Sequence, residues 1–246
     1  MKTKTTKPRR KTATGKQSLF GRIKKVVLRI LLWFFIVSIG LVLLHRFVPV
    51  IFTPLMFIRV VEQLADGETP KLRREWVPIE KISPNMVQAV VASEDNLFMQ
   101  HWGFDVRGIE QAVKYNKKKK RLRGGSTISQ QTAKNVFLFP QRSWIRKGLE
   151  AYFTVLIELF WSKERIMEVY LNVIETGNGV YGVEKASQLY FNKSAAKLSR
   201  SQAALIAVCL PNPRERNPAR PSWYITNRKI KIMDLMWKIG PVKLSK

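Results

Sequence analysis

Residues 30–44 read ILLWFFIVSIGLVLL, a run without one charged side chain. Extended back through Val26–Leu28 it covers about 19 residues interrupted only by Arg29, close to the roughly 20 that a helix needs to cross a bilayer. Arg29, near the end of the run, can snorkel to the headgroups. Ahead of it, residues 1–29 hold 11 Lys/Arg and no acid, and the first acid in the chain is Glu62. A basic tail followed by one uninterrupted span predicts a single anchor with a cytosolic N-terminus and the rest of the chain on the far side. Two other readings compete. A cleaved signal peptide would show a shorter apolar core and small residues at a cleavage site, whereas His45-Arg46-Phe47 and further bulky residues follow here. A buried soluble helix would carry a polar face. The next segment, Phe47–Val61, is also apolar, but Pro49 and Pro54 interrupt it. That favours packing at the membrane interface over a second span.

The formal charge of +27 leaves a surplus of 16 beyond residue 29. Nucleic acid, an anionic membrane surface or a pyrophosphate-bearing substrate would each answer such a surplus. An outward-facing domain removes nucleic acid from the partners. The run KYNKKKKRLR, 114–123, reads as a solvated loop or a lipid-headgroup contact. The single cysteine, Cys209, lies in the apolar stretch AALIAVCL and reads as a core residue. Two histidines are too few for a His-based metal centre.

Beyond Lys71 the pattern is mostly helical. Ser83-Pro84 is a helix start, and Val87, Val90, Val91 and Glu94 then fall on one stripe. Glu94 is therefore either a helix-end acid turned to water or a partly shielded carboxylate whose pKa rises toward that of a general base. Asp95, Asn96 and His101 follow at once. A helix is expected near Val106–Tyr115. Gly124-Gly125-Ser126-Thr127 then opens a helix through Ile128–Val136, in which Gln130 and Lys134, one turn apart, can reach the same object. Amides suit sugar hydroxyls and acetamides, and a lysine suits phosphate; solvent-facing side chains are the plain alternative. Ser143 can cap a further helix whose buried side takes in Trp144, Ile145, Leu149, Phe153, Leu156 and Phe160. Glu150 lies beside that side, where an ion pair with Arg146 would explain it without any function. Helices over Glu164–Ile174, GVEKASQLYF and LSRSQAALIAVCL follow, with a turn at GNGVYG, 177–182. No Walker loop, dinucleotide-binding turn or zinc-type Cys/His spacing is present.

The segments EDNLFMQHWGFD, GGSTISQQTAKN, RKGLE and IMEVYLNVIETGNGVYGVEKASQLYF, in this order and spacing, resemble the peptidoglycan glycosyltransferases. These are the glycan-polymerising domains of bifunctional penicillin-binding proteins and their monofunctional relatives. The resemblance covers roughly residues 75–220, and no transpeptidase domain follows within the 246 residues, so the membrane-anchored monofunctional form is expected. It implies a mostly α fold: a lysozyme-like domain with a small membrane-proximal lobe and one N-terminal transmembrane helix. The expected division is a basic cytosolic tail (1–25), a transmembrane helix (26–46), a membrane-proximal segment (47–74) and the glycosyltransferase domain (75–246).

The implied reaction joins lipid II units into β-1,4-linked glycan with inversion at the anomeric carbon, releasing undecaprenyl diphosphate. Glu94 would be the general base on the acceptor 4-hydroxyl and Glu150 the second catalytic acid, orienting the phosphate region. Lys134 and Arg142 would neutralise the departing diphosphate, with Ser126, Thr127, Gln130, Gln131 and Asn135 lining the donor side. A divalent cation, Mg²⁺ or Mn²⁺, is left open at Glu150, and no organic cofactor is implied. The implied setting is the bacterial inner membrane with the domain in the periplasm, and the implied partners are lipid II, the growing strand, the membrane and other wall-synthesis and division proteins.

Small departures from the family pattern, Ser129, Thr132 and Ser187, remove no functional group; Leu149 stands where some relatives carry Lys, and any role of that lysine does not transfer to this chain. A diphosphate is already a good leaving group and needs cations more than a strong acid, whereas a glycosidase must protonate a poor one. The Lys134 and Arg142 cluster favours transfer on that ground. A glycan-cleaving enzyme of lysozyme-like fold and a non-catalytic basic scaffold are the alternatives.

Overall fold

The computed structural model describes residues 19–106, 108, 110, 125–141 and 143–244. The basic loop 114–123, Arg142 and nearly all of the helix expected at Val106–Tyr115 lie outside the described residues. Two compact units are present, Met1–Leu41 and Val42–Lys246. In chain order the elements are α1 (Leu19–Phe47), α2 (Pro54–Ala65), β1 (Arg73–Arg74), α3 (Pro84–Glu94), α4 (Ile128–Phe137), α5 (Trp144–Phe160), α6 (Lys163–Val173), β2 (Glu175–Gly177), β3 (Val180–Tyr181), α7 (Val183–Phe191), α8 (Arg200–Cys209) and α9 (Trp223–Ile239). The protein is mostly α, as its periodicity predicts.

Helix α1 is the one described helix long and apolar enough to cross a membrane, with mean hydropathy 2.7. It starts earlier than the apolar run alone suggests, taking in Arg22, Lys24 and Lys25, because Lys and Arg are good helix formers that a hydropathy reading passes over. In the second unit, the last turns of this helix and the residue after it are held from the α5–α6 junction. The Trp161 indole donates to the Val42 carbonyl at 2.7 Å, and the Arg165 guanidinium donates to the carbonyls of His45 at 2.8 Å and Val48 at 2.7 Å. Pro54 does not merely break the apolar segment. It occupies the first turn of α2, whose cap is Thr53, accepting from Met56 N at 3.3 Å.

Helix α3 is the spine of the domain. Every residue from Met86 to Ala92 is buried, not only the expected stripe, because α8 and α9 both pack against it. Its one polar core residue, Gln88, donates to the carbonyls of Met236 and Gly240, each at 2.6 Å, and so satisfies the open end of α9. Helix α4 sits against α5 and α6, and α2 packs on α4. Cys209 is a buried core residue, and Ser199 caps α8 in a capping box with Gln202. On α5 the expected apolar side holds at Phe153 and Leu156, but Trp144 and Ile145 are 93% and 79% exposed; the first turn of the helix reaches past the core it was expected to cover.

The GNGVYG stretch is more than a turn. It forms the β2–β3 hairpin, with β1 adding in parallel to β3, in the order β1-β3-β2. Gly179 (φ +68°) sits against the Lys71 carbonyl, leaving no space for a Cβ. Two-residue pairings with a bulge carry too little alternation to be read from sequence.

Candidate active site

Glu94 is the last residue of α3, and the nine residues after it are tied down at both ends. Asp95, buried, accepts from Ile128 N at 3.0 Å through one carboxylate oxygen and meets His101 Nε2 at 2.8 Å through the other. A carboxylate on the first amide of α4 is also well placed for that helix's dipole. At the far end the Gly103 carbonyl accepts from Thr127 Oγ1 at 2.6 Å, and Gly103 adopts φ +77° where a Cβ would stand 2.6 Å from the Thr154 methyl. The end of α3 and the start of α4 are thereby locked together, which fixes Glu94 relative to the side chains of α4.

Gln131 faces Glu94. Its amide donates to Glu94 Oε2 at 3.1 Å, and its carbonyl oxygen accepts from Tyr170 OH at 3.3 Å, so the Tyr170 hydroxyl sets which end of the amide points at the carboxylate. Burial pushes the Glu94 carboxyl above the usual glutamate range; the Gln131 and Ser93 hydrogen bonds and the positive charge of Arg228 oppose this, and Asp95 adds to it. Burial likewise pulls Lys134 below the usual lysine value, with Glu150 and Glu94 working against that and Arg146 and Lys147 with it. Lys134 thus feels both glutamates and is the electrostatic link between them.

Glu150 is buried, 3% exposed, and carries two ion pairs: Arg146 Nη1 to Oε2 at 2.6 Å and Lys147 to Oε1. The plain i,i+4 pair weighed from the sequence is therefore formed. One carboxylate already answered by two cations, with no group of three His/Cys/Asp/Glu among the described residues, does not fit a divalent ion held by the protein alone.

Two clefts adjoin at Glu94, and a third lies at Lys134. One of about 320 Å³ is lined by Glu94, Asp95, Asp105, Ser126, Thr127 and Arg228. A second, about 370 Å³, shares Ser93, Glu94 and Arg228 and is walled by Arg216, Tyr224 and Lys231. The third, about 140 Å³, holds Gln131, Lys134, Asn135 and Glu175 beside Leu55.

Of the residues singled out from sequence, Glu94, Ser126 and Thr127 share the first cleft, and Gln131, Lys134 and Asn135 share the third. Gln130 is turned elsewhere. It is buried and closes the capping box of α4, its side-chain oxygen accepting from Thr127 N at 3.0 Å. The residues that share an object are thus Gln131 and Lys134, not Gln130 and Lys134. Arg142 lies outside the described residues. The sequence reading passed over Arg228, which lines two of the clefts from 134 positions beyond Glu94; no local pattern marks it. Tyr170 is a buried residue of α6 whose spacing gives no sign of its polar partner, and Asp95 and His101 follow Glu94 with no local pattern that marks their roles in the loop.

The sequence pattern of the Transglycosylase family matches residues 60–237, which takes in every cleft-lining group above except Leu55. The chain is 55% identical over 225 residues to a biosynthetic peptidoglycan transglycosylase of Bacteroides thetaiotaomicron, covering 90% of this chain and 91% of the relative. A protein of the same description from Bdellovibrio bacteriovorus is 56% identical over 218 residues (89% and 87% covered), and one from Pseudomonas entomophila 50% over 212 (86% and 90%). With its motifs, its lysozyme-like helical fold and near full-length similarity in agreement, the chain belongs to the Transglycosylase family.

Proposed function

We propose that this protein polymerises the glycan strands of peptidoglycan, using lipid II as the activated disaccharide and releasing undecaprenyl diphosphate. The observation that carries the reading is the Glu94 carboxylate: half-buried, in no direct ion pair among the described residues, held by a neutral amide and raised in pKa. A carboxylate in that state is a stronger base than one in water. The acceptor 4-hydroxyl gives its proton to Glu94 as its oxygen bonds to the anomeric carbon of the growing chain's terminal sugar. The bond from that carbon to the diphosphate breaks on the opposite face, so configuration inverts without a covalent enzyme intermediate.

The leaving diphosphate takes the electron pair and is met by Lys134 and Arg142. Glu150 keeps Arg146 and Lys147 gathered near Lys134, concentrating positive charge where negative charge develops. Because both oxygens of Glu150 are engaged, it does not offer the free second carboxylate that glycoside hydrolysis requires, which favours transfer over cleavage. No step is routed through a metal ion. The donor sugars would lie along Ser126, Thr127, Gln131 and Asn135. Helix α1 would anchor the chain in the inner membrane with the N-terminus cytosolic and residues 75–246 in the periplasm, beside the lipid-borne substrate. Sizing the product made from labelled lipid II by the detergent-solubilised protein and by its Glu94→Gln variant, with and without divalent metal, tests this; near-normal polymerisation by the variant would remove Glu94 from the role of base.

A further inference from the structure

The cleft at Lys134 has a second charged wall that the chemistry above does not use. Glu175 opens β2, at the bulge that shifts the β2–β3 register before Gly177, and a bulge re-aims the side chains beside it. The Glu175 side chain is 8% exposed, yet the protein answers its charge poorly. Its Oε1 stands 3.5 Å from Arg59 Nε, and neither atom has a hydrogen-bond partner among the described residues. The buried Tyr181 hydroxyl, which feels the charge of Glu175, lacks one as well. Arg59 is committed elsewhere, its Nη1 donating to Glu62 at 2.6 Å. Burial raises the Glu175 carboxyl above the usual glutamate range; Arg59 and Arg214 oppose this, and Glu62 adds to it. Lys134 does not make up the deficit. The carboxylates that act on it are Glu150 and Glu94, and no ion pair joins it to Glu175 among the described residues.

A buried carboxylate in this state is costly, and its open oxygen calls for a partner. The cleft narrows what that partner is. A diphosphate is drawn to Lys134 and repelled by Glu175. An ionised carboxylate only accepts hydrogen bonds, so a neutral group bearing O–H or N–H suits it. A sugar linked to a diphosphate brings both chemistries, side by side.

We propose that Glu175 orients the donor sugar by accepting a hydrogen bond from one of its hydroxyl or amide N–H groups while Lys134 holds the diphosphate. A cation and an unpaired anion in one small cleft then admit the sugar diphosphate in one direction only. They also separate donor from product: the sugar-bearing donor gains the charge-assisted hydrogen bond, and the sugar-free lipid diphosphate left after transfer meets only the repulsion. This assignment rests on the glycan-polymerase reading, and its test keeps the two apart.

The test takes the detergent-solubilised full chain, its Glu175→Gln variant and, as a second deletion of the charge, Glu175→Ala. KM and kcat are measured with labelled lipid II, and the affinity of undecaprenyl diphosphate by thermophoresis. Glu175→Gln should raise KM about tenfold and lower kcat less than about threefold, the pattern of a lost binding contact. It should bind undecaprenyl diphosphate as tightly as the parent or more tightly. Its Tm should be no lower, because a carboxyl with a raised pKa costs stability while ionised at neutral pH. An unchanged KM overturns the proposal. With a lowered Tm, that result makes Glu175 a structural tie from β2 to Arg59 of α2. Affinity for undecaprenyl diphosphate that weakens as much as KM rises overturns it too, placing Glu175 on the diphosphate through a bridging cation. A parent chain that does not polymerise lipid II removes both readings; a parent that does, beside a Glu175→Gln variant of equal KM, removes this one alone.

Discussion

Glu94 and Glu150 are the same side chain treated in opposite ways. Glu94 ends its helix, where the dipole disfavours a negative charge; its hydrogen-bond donors are the neutral Gln131 and Ser93, and burial raises its pKa. Glu150 sits inside α5 with Arg146 one turn before it and Lys147 alongside, both in ion pairs with it. One carboxylate is kept ready for a proton, and the other is held as a fixed anion that organises cations. Two acids given different surroundings suit different chemical roles, and in the proposed reaction Glu94 serves as the base on one side while the cations around Glu150 form the electropositive exit on the other.

The contrast breaks if the two glutamates respond alike to the same substitution. Glu94→Gln should carry the largest effect on rate, a loss of about 10³-fold in glycan polymerisation, with no loss of stability. The sign follows from the raised pKa: the folded chain binds this proton more tightly than the unfolded one, so stability falls as pH climbs from the ordinary glutamate value through the raised one. Removing the charge lifts that cost, and Glu94→Gln should melt no lower than the parent at neutral pH, and somewhat higher. Glu150→Gln should do the reverse on stability. It leaves Arg146 and Lys147 facing a neutral amide and should cost about 2 kcal/mol, seen as a lower midpoint in denaturant, along with a rate loss of about 10²-fold. Adding Arg146→Met should restore part of the stability and none of the rate. A Glu94→Gln variant that melts lower, with a Glu150→Gln variant that melts unchanged, would reverse the assignment.

What could be read from sequence divides along the same physical line. Short-range signals carried through: Ser83-Pro84, Thr127 and Ser143 all start helices where their capping chemistry says, and Glu94 falls on the buried side of α3 as its spacing implies. Long-range partners did not. Arg228 reaches the clefts only because α9 folds back over α3, and the lock from Asp95 to Ile128 N spans 33 residues. Gln130 and Gln131 are adjacent and chemically identical, so which one caps the helix and which one faces the carboxylate is settled by the 100° step between them and by Tyr170, far along the chain. Trp144 and Ile145 show the converse failure, since apolar spacing predicts a buried face only where another element arrives to cover it.

Those adjacent glutamines sharpen the comparison at its fine end. Gln131→Leu removes a donor that lowers the Glu94 pKa, so the acid limb of the kcat/KM profile should move to higher pH, with a rate loss of about tenfold at neutral pH. Gln130→Ala should leave that limb in place. Its side-chain oxygen serves Thr127 N, and losing half of a capping box costs about 1 kcal/mol of stability, read as a shift of the denaturant midpoint at unchanged slope. Thr127 still caps α4 through its hydroxyl and still holds Gly103, so Glu94 keeps its position and turnover should change little. A shift of the acid limb in Gln130→Ala equal to that in Gln131→Leu would mean that the cap, and not the amide facing Glu94, sets the basicity of the carboxylate.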